Sequence, residues 1–167
     1  MSYVLRQITG ARWLGLGTPK SDGDFPADPI TDLKTDSNNL SVFFIEDAKR
    51  DIDTALIGLA SNKNEVQKLT YALIKLKDLE KEGFKITANT GKTPSGKANH
   101  LHGEIEGLTV DGLAKLARLI SDKSQQETKP KPFIKILVQG ACASNDLNIK
   151  KMRHDLHKEL KIICECK

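Results

Sequence analysis

Long apolar runs are missing from this sequence. No stretch approaches the roughly 18 consecutive residues that a membrane-spanning helix needs, and the opening Met-Ser-Tyr-Val-Leu-Arg-Gln lacks the apolar core of a signal peptide. A protein with no membrane contact and a cytoplasmic address is therefore expected. Cysteine is scarce too. Cys142, Cys164 and Cys166 are an odd number gathered near one end, whereas a secreted disulfide framework spreads an even set along the chain, so reduced thiols are expected. Aromatic residues are few, at five Phe, two Tyr and one Trp, and they do not interleave with the basic stretches. This argues against the stacking platforms that bind single-stranded bases. There is no internal repeat and no low-complexity tract.

What remains has the composition of a folded chain. With 167 residues, 38% hydrophobic and 29% charged, neither disorder nor a fibrous architecture fits, and one globular domain over 1–167 is expected. Charge is unevenly placed. Residues 1–60 carry six Lys/Arg against nine Asp/Glu, while 61–167 carry twenty against thirteen. Such a basic region suits an anionic partner, nucleic acid above all, although lysine-rich surfaces also serve simply as solvated faces.

Periodicity predicts a short strand around Tyr3–Ile8 and a turn-rich loop over Gly10–Pro29. A buried strand follows at Leu40–Ile45, then a helix from Glu46 to Ala60 with aspartates in its first turns. Leu69–Ile74 fits either a strand or a helix. A helix over Leu76–Gly83, a strand over Phe84–Thr87, a loop over Ala88–Asn99 and an alternating strand over His100–Gly107 come next. Thr109 caps a helix over Val110–Ile120, and Ser121–Pro132 looks like a flexible connector. Phe133–Val138 looks like another buried strand, Gly140–Asn145 a turn, Ile149–Leu160 a helical face and Ile162–Ile163 a closing strand. The fold class expected is α/β or α+β, a layered sandwich with a mixed sheet and four to five helices.

Three groups of residues invite chemistry. Gly91-Lys-Thr-Pro-Ser-Gly-Lys97 has the glycine and lysine spacing of a nucleotide phosphate loop. Ala98 stands where Mg²⁺ binding needs a hydroxyl, however, and Pro94 removes one amide donor, so looser anion binding by Lys92, Thr93 and Lys97 is the surviving reading. His100, His102 and Glu104 would share one face of an alternating strand, the spacing of a metal or acid–base set. At the end of the chain, His154, His157, Cys164 and Cys166 bring together four zinc-type donors, although C-x-C is tighter than a structural zinc pair and buried thiols also pack as small hydrophobes. Asp22, Asp24 and Asp28 lack the glycine and terminal glutamate of a calcium loop, and neither Ser144 nor Cys142 lies in a nucleophile motif.

Two functions follow as expectations. One is a small non-enzymatic binding or regulatory protein that needs no cofactor and meets nucleic acid or a protein partner through the Gly/Lys loop. The alternative is a metal-dependent hydrolase or nuclease, with zinc as the candidate metal, built on His100, His102 and Glu104. What separates them is whether the two histidines share a cleft with Lys92 and Lys97.

Overall fold

The first strand of the chain lies inside the sheet. In the computed structural model, which describes residues 2–13 and 25–160, β1 (Tyr3–Ile8) pairs with β2 (Leu40–Ile45) on one side and β3 (Leu69–Lys75) on the other. β5 (His102–Glu106) continues the sheet beyond β2, and β4 (Lys85–Ala88) forms that edge. β6 (Gln125–Lys129) pairs with β3 and forms the opposite edge. The order is β4-β5-β2-β1-β3-β6. The layered α/β class is as expected, but every pair is antiparallel. The interspersed helices suggested parallel pairs. Instead, the crossover from β2 to β3 skips β1, so two strands running the same way are separated by one of opposite direction.

Helices cover both faces, and strand alternation decides which side chains they meet. Leu5, Phe43, Ile45, Leu69 and Tyr71 face α2 (Ala48–Ser61), α6 (Lys131–Ala143) and α7 (His154–Leu160). Val4, Ile8, Val42, Ala72, Ile74 and Ile105 face α1 (Ala27–Asp32), α3 (Leu76–Lys81) and α5 (Val110–Lys123). With α4 (Gly96–Leu101) the described residues hold seven α-helices. None of them is long and apolar enough to cross a membrane.

α2 begins two residues later than the helix expected from Glu46, because an aspartate caps it. The Asp47 side chain caps it by accepting from the amides of Lys49 and Arg50. Asp51, one turn on, is buried and accepts from the amides of Glu46 at 3.0 Å and Asp47 at 2.9 Å and from Arg50 Nε at 2.9 Å. Burial pushes the Asp51 carboxyl up, but these donors outweigh it and hold the group below its ordinary value. A depressed carboxyl contributes stability above its unfolded pKa, and the contribution is lost as pH falls through the folded value. Asp51→Ala is therefore expected to cost about 3 kcal/mol at pH 7. In urea denaturation that difference should shrink as pH falls below the ordinary carboxylate range; an equal difference at pH 7 and pH 3 would contradict this role.

Several segments differ from their sequence expectations. Phe133–Val138 is helical, within α6: Ile134, Val138, Ala141 and Cys142 are its buried positions, a spacing of about 3.6, and Pro132 sits in the first turn, where proline is tolerated. Ser121–Pro132 is occupied by the end of α5, by β6 and by the start of α6. β6 carries no apolar signal because it is an edge strand exposed at nearly every position. The ambiguous Leu69–Ile74 is strand β3. The helix expected over Ile149–Leu160 is a 3-10 turn, Ile149–Lys151, followed by α7, with extended backbone at Met152 between them. Ile162 and Ile163 lie outside the described residues, as do Asp22 and Asp24.

Candidate anion-binding site

Ser95 starts α4 by accepting from the Ala98 amide at 3.2 Å. This cap turns the end of the glycine-rich segment into a helix, so His100 lies in its last turn and His102 opens β5. The expectation that both histidines stand on one strand is thereby corrected. Preceding residues fold back on α4 through Asn99. Its Oδ1 accepts from the Thr93 amide at 2.8 Å and the Thr93 hydroxyl at 2.9 Å, and its Nδ2 donates to the Thr93 carbonyl at 3.0 Å. The Gly91 amide donates to the Asn99 carbonyl at 3.0 Å, and the Ser95 amide to the Thr93 hydroxyl at 3.3 Å. A phosphate cradle needs backbone amides that are free to point at the ligand. Here the amides of Gly91, Thr93, Ser95 and Ala98 are committed to the loop itself, which leaves no continuous cradle and gives side chains the larger part in holding an anion at this segment.

α4 lies across α2 at a very close contact. A Cβ placed on Gly58 would come 2.5 Å from the Ala98 Cβ. This crossing separates two cavities, and the segment from Lys92 to His102 contributes to both. One, of about 400 Å³, takes Lys97 and His100 together with Arg50, Asp51 and Asp146. Its charges largely answer one another, since Lys97 pairs with Asp146 at 2.7 Å and Arg50 with Asp51. The other, of about 230 Å³, takes Lys92, Thr93 and His102. The two histidines and the two loop lysines are thus divided between two sites.

Strand β1 makes the second cavity. It pairs with β3 along Tyr3–Ile8, but with β2 only over Tyr3–Leu5. Beyond Leu5 the Ser41 carbonyl is met by a side chain, Nη1 of Arg6 at 2.9 Å, which satisfies a group the ladder would otherwise bond. Arg6 lines the cavity, and its Nε is buried with no hydrogen-bond partner among the described residues. Burial pushes its pKa down while Asp32 opposes the shift, and a guanidinium stays charged at neutral pH. His102 packs edge-on against Phe43, with ring centroids 5.7 Å apart, and its Nδ1 meets Asn89 Oδ1. Burial lowers the His102 pKa against the pull of Glu104, so the ring is neutral at pH 7. Gln7, Ser41 and Asn62 add polar groups, and Leu5, Phe43 and Leu59 an apolar floor. Among the described residues lining this cavity there is no carboxylate.

The other sequence candidates are dispersed. Glu104 accepts from Asn39 Nδ2 at 3.2 Å and lines neither cavity. Among the described residues no three His, Cys, Asp or Glu side chains are placed to hold a metal ion. His154 and His157 are exposed on α7, His154 with Asp155 at 3.8 Å, while Cys164 and Cys166 lie outside the described residues. Cys142 is buried in α6. Sequence reasoning found Lys92 and missed Arg6, Gln7 and Asn62. Only Arg6 left a trace, as the one charge in the otherwise mostly apolar Tyr3–Ile8 strand. Comparison with family models, with curated proteins and with solved structures returns no match, so the site stands on its own chemistry.

Proposed function

We propose that this chain is a non-enzymatic binding protein that holds a phosphate group of a nucleic-acid partner in the cavity of Arg6, Lys92 and His102. The observation that carries the reading is the charge of the residues that line the cavity: among those described, Arg6 and the exposed Lys92 are cationic and none is a carboxylate, while Asp32 acts on Arg6 from outside the lining. Nη1 of Arg6 is committed to the Ser41 carbonyl and its Nε has almost no accessible surface, so the guanidinium acts on an anion in the cavity through its charge, and Lys92 at the rim supplies the direct contact. The basic surplus over residues 61–167 supports attraction at longer range. With few aromatic side chains and none but Phe43 in the cavity, contact with the phosphate backbone is favoured over base stacking. Binding should then be tolerant of sequence.

Fluorescence polarisation with labelled RNA and DNA tests this. Micromolar affinity is expected at about 50 mM salt, weakening steeply as salt rises. Lys92→Glu places a carboxylate at the rim of the cavity without touching a packed residue, and is expected to weaken binding about tenfold or more and to reduce the salt slope by about one. No binding of either nucleic acid at about 50 mM salt, or equal binding by Lys92→Glu, would overturn the reading.

A further inference from the structure

The two cavities lie on either side of one helix crossing, and α2 runs beneath both. Arg50, Thr54 and Ile57, from its first part, line the larger cavity, and Leu59 and Asn62, from its end, lie at the smaller. From Arg50 to Asn62 the helix rises about 18 Å at 1.5 Å per residue. Between the cavities stand residues with little bulk: Gly58 and Ala98 in the crossing itself, Ser95 buried, and Gly96 exposed with open space where a side chain would be.

In the larger cavity each cation is more exposed than the carboxylate it pairs with. Asp51 is buried and committed to two backbone amides and Arg50 Nε, and Asp146 accepts from Ser144 at 2.9 Å as well as pairing with Lys97. The Arg50 side chain is 72% exposed against 4% for Asp51, and that of Lys97 66% against 30% for Asp146; His100 is exposed as well. The larger cavity thus presents a positive rim to an approaching ligand, although its formal charges nearly balance.

We infer that the two cavities are subsites for one extended polyanion, a nucleic-acid strand laid over the α2–α4 crossing, with one phosphate at Arg6 and Lys92 and others at Arg50, Lys97 and His100. This rests on the phosphate reading of the smaller cavity. A span of about 18 Å corresponds to about five phosphates at the 3.4 Å rise of a duplex strand and to fewer in a more extended single strand. One nucleotide therefore fills one subsite, and affinity gains a second contribution once the strand reaches across.

Polarisation with labelled oligonucleotides of two, four, six and eight nucleotides tests the bridge, alongside His100→Glu and Lys92→Glu. His100 is exposed, so His100→Glu alters the rim of the larger cavity and leaves the core intact; matching circular dichroism spectra and urea midpoints establish that it folds. The expected result is weak binding of the dimer and a rise of about tenfold or more by six nucleotides. His100→Glu should abolish the rise with length, while Lys92→Glu weakens every length. Equal affinity at all lengths, or a length dependence that His100→Glu leaves intact, would overturn the bridge while the phosphate reading survives. Binding at no length would overturn both. Equal binding of polyglutamate with matched charge would overturn nucleic acid as the ligand class.

Discussion

Gly58→Val is expected to destabilise the protein by about 3 kcal/mol and to abolish anion binding in the fraction that stays folded. The Gly58 position lies 2.5 Å, Cβ to Cβ, from Ala98, whereas carbon atoms rest about 3.5–4.0 Å apart. Any side chain must push α4 off α2 by more than 1 Å, and a branched one further. Alanine brings opposing effects. It gains about 1 kcal/mol of helix propensity over glycine but meets the same contact, so Gly58→Ala is expected to cost only about 1 kcal/mol net. The diagnostic pair is Gly58→Ala with Ala98→Gly, which moves the methyl group from one helix to the other. If the close crossing is what matters, the double variant recovers most of the loss in urea denaturation, and nucleic-acid binding returns with it. Additive single effects would place the cause elsewhere. Fold and site are linked at this point, because the displaced helix carries the loop between the two cavities.

The second large effect is expected at Gly103, in β5 between β2 and β4. A Cβ there would stand 2.7 Å from the Thr87 carbonyl oxygen and 2.3 Å from Phe44 Cε2. The Phe44 ring can rotate away at modest cost. The carbonyl cannot, since it belongs to the backbone of the neighbouring strand, where Gly103 registers with Ala88 on one side and Val42 on the other. Gly103→Ala must therefore part β4 from β5, at a cost of about 3 kcal/mol. Hydrogen exchange locates the damage. The Asn89 amide, which donates to the His102 carbonyl at 3.1 Å, should lose its protection, while amides of β1 and β3 keep theirs at matched stability. Uniform loss of protection across the sheet would contradict a local steric cause.

How much of this was visible in the residues depends on whether the signal was local. α2 and α5 carry their own caps, Asp47 and Thr109, and their own apolar stripes, so both were read close to their bounds. α6 was misread because a run such as Phe133-Ile-Lys-Ile-Leu-Val138 has no unambiguous period over six residues. The small residues from Gly140 to Ala143, taken for a turn, continue the helix. β6 was invisible, since an edge strand open on both faces needs no apolar residue.

The site divides in the same way. Gly91–Lys97 stood out by composition, and its lysines do reach cavities, but Ser95 as a helix cap was overlooked, and with it the turn that separates His100 from His102. Arg6 reaches the site only because β1 leaves β2 after Leu5, and Asn62 only because α2 ends there. The first fact has no local signature, since it depends on which strands meet across more than thirty residues of chain; the end of α2 was legible near Ala60, but not what Asn62 would lie beside.

The central claim, that the cavity beside the β1–β2 split receives a phosphate, is tested most directly by nitrogen-15 NMR during titration with a short oligonucleotide. The Arg6 Nε–H is buried and without an acceptor among the described residues, so its resonance should report the phosphate charge as it enters the neighbouring cavity. The Gln7 and Asn62 side-chain amides and the Lys92 and Thr93 backbone amides are expected to move with it, on one binding curve, while amides of β6 stay in place. An unmoved Arg6 Nε–H at saturation, with the perturbations gathered on another face, would contradict the account.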